Sequence, residues 1–218
     1  MLPESPVMTA PSWMAIVPIR RLSEAKSRLA VPNREGYAIA FLKDVLEVLM
    51  SSNEIRSVVV TTPDLAVQRH AFGCAVVLEP GTGIDSAIEC ARNWGRDVGH
   101  HGHVLAVLPD LPALQVSELD RMLQEARKHD RSFHPDSQGD GTTCVTARRA
   151  IDLRTKFGPG SANRHRNSSI TELGGFGRGL SCDVDTIEDL CKAASLGVGH
   201  HTMSLLSGVH GFDPASPR

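Results

Sequence analysis

Three short stretches carry the residue types that could do chemistry, and each follows or adjoins an apolar run. Pro18–Leu29 reads PIRRLSEAKSRL and sets Arg20, Arg21, Lys26 and Arg28, four cations, within nine positions just after the run Met14–Val17. Such a stretch is either a solvated basic turn or a phosphate holder, because the first strand–helix connection of an α/β protein commonly receives phosphates. It contains neither GxGxxG nor GxxxxGK[ST], which speaks against a Rossmann dinucleotide site and a P-loop. Asp110 stands in Pro109-Asp110-Leu111-Pro112, behind the apolar run His103–Leu108. Held between prolines, it either caps a turn or serves as a ligand for Mg²⁺, which takes one or two carboxylates plus substrate phosphates. The third stretch is Cys182-Asp183-Val184-Asp185-Thr186. In an extended chain Asp183 and Asp185 share one side. Asp185 has the alternative task of helping Thr186 cap the next helix, whereas Asp183 has no such local role. The candidate metal ligands are therefore Asp110, Asp183 and Asp185. The candidate phosphate-neutralising residues are Arg20, Lys26 and Arg28, with Pro18 at the strand end.

Further loops could complete a site. Glu79–Asp85 leads into a helix, and Gly81 and Gly83 would let a nucleotide approach the backbone, with Asp85 beside them. His134–Thr143, HPDSQGDGTT, ends in paired threonines whose hydroxyls suit a phosphate or carboxylate. Lys156–His165, KFGPGSANRH, is an ordinary turn or a loop shaped for an anion, with Lys156 and His165 on its rim. His100, His101 and His103, and the pair His200 and His201, read as exposed loop histidines rather than metal ligands.

These loops need a frame. Strands are expected at 14–17, 57–61, 75–78, 103–108 and 143–147, and helices at 34–51, 64–72, 84–94, 117–129 and 187–196. In the first long helix Phe41, Leu42, Val45, Leu46 and Leu49 recur at three- and four-residue spacings, one apolar face. Ser117 with Asp120 is expected to cap the fourth helix, and Thr186 the last, which stops at Gly197. A short helical turn is expected at Ser161. Alternating strands and helices predict a single α/β domain over 13–198, a mostly parallel sheet with helices on both faces and ligands beyond the strands' carboxyl ends. A flexible tail is expected over 1–12 and an extension over 199–218.

Composition narrows the partners. With 23 Lys and Arg against 25 Asp and Glu, the net charge of −2 supplies no global field for nucleic acid or anionic membrane, so any anion site is local. The 218 residues suffice for one core without metal or disulfide. Cys74, Cys90, Cys144, Cys182 and Cys191 form an odd set without a CxxC pair, read as reduced thiols of a cytosolic protein. The first twelve residues lack a signal peptide's basic and apolar regions, and no run approaches the roughly 18 apolar residues of a membrane span.

In this order, VPIRRLSEAKSRL, DLPAL, PDSQGDGTT, FGPGSANRH and DVDTIEDL resemble the CofC/FbiD family, from about Ile16 to Leu190. The resemblance implies a GT-A-type, Rossmann-like nucleotidyltransferase fold, a three-layer α/β sandwich. It implies a guanylyltransferase of coenzyme F-420 biosynthesis that joins GTP to phosphoenolpyruvate, 2-phospho-L-lactate or 3-phosphoglycerate with Mg²⁺ and releases pyrophosphate. Phosphoenolpyruvate is the favoured acid, and a downstream transferase is the implied taker of the unstable product. By the same resemblance Lys26 and Asp110 are catalytic, Asp110 and Asp183 hold the metal, and Thr143, Gly158 and Ser161 hold the acid. Arg20 stands where the family usually has lysine, Pro109 where it has glycine, and Gly83-Ile84-Asp85 where it has GLN. Asp85 would be an acceptor only, which loosens the expected base preference. A molybdopterin or sugar-phosphate nucleotidylyltransferase is the neighbouring alternative, but its glycine-rich loop after the first strand is missing. A non-catalytic nucleotide-binding regulator is the alternative of another class.

Overall fold

The computed structural model describes residues 13–208. The tail expected over 1–12 and the last part of the extension, 209–218, lie outside the described residues. Seven strands form one sheet in the order β3-β2-β1-β4-β6-β5-β7. They are β1 (Trp13–Pro18), β2 (Ile55–Thr62), β3 (Ala75–Leu78), β4 (Val104–Val107), β5 (Arg131–Pro135), β6 (Thr142–Ala147) and β7 (Thr171–Glu172). β1 pairs in parallel with β2 and β4, β2 with β3, and β5 with β7. β6 runs antiparallel to both β4 and β5. The sheet is thus mostly parallel, as expected, with one reversed strand.

Why β1 lies at the centre follows from its residues: all six are buried, and they alternate between the two faces. Trp13, Ala15 and Val17 join the apolar cluster that covers Leu42, Val45, Leu46 and Leu49 of α1 (Arg34–Ser51) and Leu119, Met122 and Leu123 of α3 (Val116–Ala126). Met14 and Ile16 face the opposite layer, with Ile88 and Ala91 of α2 (Ile84–Asp97) and Ala162 of α4 (Ser161–Arg166). Helices therefore lie on both faces, a three-layer sandwich. α5 (Ile187–Leu196) and α6 (His200–Ser207) share a third cluster with Leu29, Tyr37, Phe41 and Val184. The chain passes β1, β2, β3 on one side and returns to β4 on the other. That switch point opens a crevice beyond the carboxyl ends of β1 and β4, where an open α/β sheet takes its ligand.

Local signals were mostly followed. Thr186 and Asp189 form a reciprocal capping box on α5, and Gly197 ends it with φ +92°. α3 corrects the expected cap: Gln115, not Ser117, is its N-cap, and Glu118, not Asp120, reaches back to the Gln115 amide at 3.4 Å. The reason is that Glu118 also accepts the amides of Gly179 and Leu180, at 3.2 and 3.1 Å, anchoring the turn that leads to Asp183. The helix expected at 64–72 is a 3-10 turn over Leu65–His70. Among the described residues no helix is long and apolar enough to cross a membrane.

Gly179 packs directly on the chain after β4, where a Cβ would lie 2.1 Å from the Ala113 carbonyl oxygen. Backbone cannot yield as a flexible side chain can. Gly179→Ala is expected to lower stability by about 1–3 kcal/mol in a chemical denaturation series. An unchanged midpoint and slope would show that this turn moves freely.

Candidate active site

At the switch point Pro18 ends β1 and Pro109-Asp110 follows β4. Val184 then donates its amide to the Asp110 carbonyl at 3.0 Å, which lays the DVD segment alongside Asp110. Val184 is fully buried. Period-two alternation therefore turns Asp183 and Asp185 the other way, and both line a cleft of about 560 Å³. Asp185 does not cap α5, since Thr186 and Asp189 do that between themselves.

The basic stretch folds over this acidic wall. Its path is fixed by Asp64, which accepts the Leu22 amide at 3.0 Å and the Ala66 amide at 2.9 Å. Those two backbone bonds lead the causes that hold the Asp64 carboxyl below the usual range. Lys26 has left-handed backbone, φ +53°. Its Nζ donates to Asp110 Oδ2 and to Asp185 Oδ1, the latter at 3.1 Å, and Arg28 pairs with the other oxygen of Asp185. Burial of the Lys26 ammonium would lower its pKa, but Asp110 and Asp185 together outweigh that and raise it. One lysine does not neutralise three carboxylates. Burial, then the neighbouring Asp110, Asp136 and Asp185, push Asp183 up to about 7. Asp110 Oδ1 is buried without a hydrogen-bond partner. A carboxylate set crowded to this degree, with one oxygen unmet, fits a divalent cation.

The opposite side of the cleft is built by HPDSQGDGTT and KFGPGSANRH. Asp136 gathers the first loop by accepting the amides of Gln138, Asp140 and Gly141 at 3.1, 3.1 and 2.8 Å. Gly141 has no room for a side chain, since a Cβ would stand 2.4 Å from Asp136 Oδ2. Asp140 then holds the second loop through the Gly160 amide at 3.1 Å and, by its carbonyl, the Ala162 amide at 2.9 Å. His165 is the pin between them. The Lys156 amide donates to His165 Nε2 at 3.0 Å, so Nδ1 carries the proton and donates to Thr142 Oγ1 at 3.0 Å. Ser161 Oγ also donates to Thr142 Oγ1, at 3.0 Å, which leaves the Thr142 proton for another acceptor. Thr142, Gly158 and Ser161 all line the cleft.

Residues 13–213 match the family described as Guanylyl transferase CofC like. The chain belongs to this family. It is 45% identical over 194 residues to "Phosphoenolpyruvate guanylyltransferase 2" of Rhodococcus jostii (strain RHA1), covering 89% of this chain and 90% of that one. It is 39% identical over 202 residues to "Phosphoenolpyruvate guanylyltransferase" of Streptomyces scabiei (strain 87.22), covering 87% and 94%. Its fold is that of nucleotidyltransferases. One solved example is a cytidylyltransferase from Leptospira borgpetersenii serovar Hardjo-bovis (strain JB197), with TM-score 0.56 at 14% identity over 90% of this chain and 94% of that chain.

In this CofC-like cleft the structure brings together Pro18, Arg20, Lys26, Arg28, Asp110, Gly158, Ser161, Asp183 and Asp185. Four expected residues fall elsewhere. Thr143 turns its hydroxyl to the His134 carbonyl at 3.4 Å, because a register shift between His134 and Pro135 puts Thr142 on the cleft instead. Asp85 is drawn away by the Phe157 amide, which its Oδ1 accepts at 3.1 Å, so it braces the FGPGS loop. Gly81 and Gly83 do not line the cleft, although Ile84 does. Their positive φ, +83° and +123°, serves the turn into α2. His165 is fully buried rather than on the rim, between Phe133 and Phe157. His200 and His201 open a helix, not a loop. Asp136 and Asp140 were missed, and Thr142 was covered only as one of the paired threonines; the signal for the two aspartates was the Asp-rich turn before that pair. A larger cleft of about 1220 Å³ lies at the amino-terminal end of β4, lined by His103, Arg131, Arg148 and Arg154 among others. It includes none of the three clustered aspartates.

Burial pushes His165 down to about 4 from an ordinary value near 6.5. The unfolded chain therefore binds the extra proton first, so the contribution is intact above pH 6.5 and is lost as pH falls toward 4. The full shift corresponds to about 3 kcal/mol. In His165→Gln, the drop in unfolding free energy between pH 7 and pH 4 should shrink by up to that amount. An identical pH slope in parent and variant would mean that His165 takes its proton as readily in the folded state.

Proposed function

We propose that this chain transfers GMP from GTP to a three-carbon phospho-acid, with phosphoenolpyruvate favoured over 2-phospho-L-lactate and 3-phosphoglycerate. The reading makes it a cytoplasmic enzyme of coenzyme F-420 biosynthesis that passes its unstable product to a downstream transferase. The observation that carries it is the sharing of one cleft by two unlike walls, Lys26 and Arg28 with three aspartates on one, and the Thr142–Ser161 loop on the other. The names of the relatives support the acid and the base.

The reaction brings two polyanions together. A phosphate oxygen of the acid attacks the α-phosphorus of GTP, the bond to the β-phosphate breaks, and pyrophosphate leaves. Each pair of unit charges at 4 Å costs about 4 kcal/mol at an effective dielectric of 20, so fixed cations decide whether the encounter occurs. Arg20, Lys26 and Arg28 supply them from the loop after β1. Asp110, Asp183 and Asp185 would hold Mg²⁺, which when bound neutralises phosphate charge and polarises the α-phosphate. The attacking oxygen is already ionised, so the chain needs no general base, in keeping with a cleft that no histidine or cysteine lines among the described residues. Gly158, with φ +109°, turns the loop so that its backbone faces the acid without a side chain between. The hydroxyls of Thr142 and Ser161 would orient that acid.

Pyrophosphate release from purified protein with GTP, Mg²⁺ and each acid tests the reading, and no release with any of the three acids would sink it. Asp110→Asn is expected to cut kcat at least ~100-fold while the protein stays folded. Full turnover in that variant would remove Asp110 from the reacting centre. Ser161→Ala is expected to raise KM for the acid more than KM for GTP. Equal changes in both would move the acid away from this loop.

A further inference from the structure

A second group of ligating side chains stands outside the cleft, where α1 meets α6. Asp44 and Glu47 of α1 and His200 and His201 of α6 each offer one donor atom within 4.8 Å of the others. None of the four lines the cleft of about 560 Å³. Glu47 engages both imidazoles at once, Oε2 lying 3.1 Å from His200 Nδ1 and Oε1 lying 3.0 Å from His201 Nε2. The two rings lie close together, tilted by 36° with centroids 3.8 Å apart.

The frame that delivers these atoms is built into the backbone. Asp44 is buried, and its two oxygens accept the amides of His201 and Thr202, each at 3.0 Å. That fixes the first turn of α6 on α1. Gly199 is part of the same fit, because a Cβ there would lie 2.4 Å from Asp44 Oδ1. Its amide is held in turn by the Pro112 carbonyl at 2.9 Å. The buried Asp44 contacts thus set two neighbouring histidines beside the Glu47 carboxylate, while the side chains of Glu47 and His200 themselves lie exposed at the surface.

Chemistry selects the ion. Donors bound tetrahedrally at about 2.0–2.2 Å lie about 3.3 Å from one another, close to the nitrogen–oxygen separations around Glu47. Paired imidazole nitrogens favour late first-row dications over Mg²⁺ or Ca²⁺, which prefer oxygen alone. With the imidazoles bound as neutral ligands, the carboxylates of Asp44 and Glu47 would balance a charge of two. We propose that Asp44, Glu47, His200 and His201 form a binding site for a transition-metal dication such as Zn²⁺ or Ni²⁺, which fastens α6 to α1. Glu47, His200 and His201 ligate it, and Asp44 completes the charge while holding α6 in place.

Calorimetric titration of the full chain with Ni²⁺ tests this, with Mg²⁺ in excess to occupy the aspartates of the cleft. The parent should bind one equivalent that Glu47→Gln and the double variant His200→Ala/His201→Ala both lose. The parent's melting temperature should rise with Ni²⁺, because only the folded chain assembles the four donors, while neither variant's should move. Melting without metal identifies any variant that fails to fold, and Glu47→Gln, an exposed isosteric change, keeps the test open if the double variant does. Equal Ni²⁺ binding by the parent and a folded variant, or no binding by the parent, overturns the site.

Discussion

The Lys26 ammonium, held between Asp110 and Asp185, is the interaction on which the cleft depends. Three carboxylates converge because two backbone constraints force them together: Asp110 follows a buried strand, and the DVD segment hangs on the Asp110 carbonyl through the Val184 amide. Left alone they would repel one another in a partly dry site. Burial first, and then the neighbouring carboxylates, push Asp183 up to about 7. Lys26 relieves part of the repulsion, and so the basic loop lies down over the acidic wall. A residue with a Cβ accepts left-handed backbone at Lys26 because the two ion pairs and the Leu29 amide, which donates to the Lys26 carbonyl at 3.0 Å, over-determine the turn.

The opposite side of the cleft is organised by backbone hydrogen bonds to the carboxylates of Asp136 and Asp140 and by the neutral His165. Asp136 closes one loop on itself, Asp140 carries the next loop, and His165 ties the Lys156 amide to Thr142. Keeping His165 uncharged matters here, because a protonated Nε2 could not accept the Lys156 amide. Its burial between Phe133 and Phe157 provides that. The wall built by these loops thus offers hydroxyls and backbone beside the carboxylates of Asp136 and Asp140.

Much of this was legible in the residues. The all-buried β1 and β4 follow from unbroken apolar runs, α1 from its three- and four-residue spacing, and the α5 cap from Thr186, though its partner is Asp189 and not Asp185. The acidic positions were legible because a period of two needs no tertiary knowledge. What was not legible depended on contacts made at long range. Ser117 is a better N-cap by type than Gln115, but the partner of the cap, Glu118, was claimed by the Gly179 and Leu180 amides. Thr143 and Thr142 are chemically identical, and only the register shift opposite Pro135 decides which one faces the cleft. Asp85 reads as a loop carboxylate until Phe157 is brought to it across 72 positions of sequence. His165 looked peripheral because nothing local reveals that two phenyl rings enclose it.

The third apolar cluster explains why the acidic wall holds its shape. Leu29 ends the basic stretch, Ala113 follows DLP, and Val184 sits between the two aspartates; all three are buried with Tyr37 and Phe41 of α1, Leu190 of α5 and Leu206 of α6. Burying a valine or leucine side chain contributes about 1.5–3 kcal/mol, more than the roughly 0–1 kcal/mol of an exposed ion pair such as that of Arg28 with Asp185. The packing therefore sets the position of the charges, and the charges then choose partners within reach. Once Val184 is inserted, alternation leaves Asp183 and Asp185 no direction but the cleft. Because Leu206 belongs to the same cluster, the helix after residue 199 bears on that geometry as directly as the strands do.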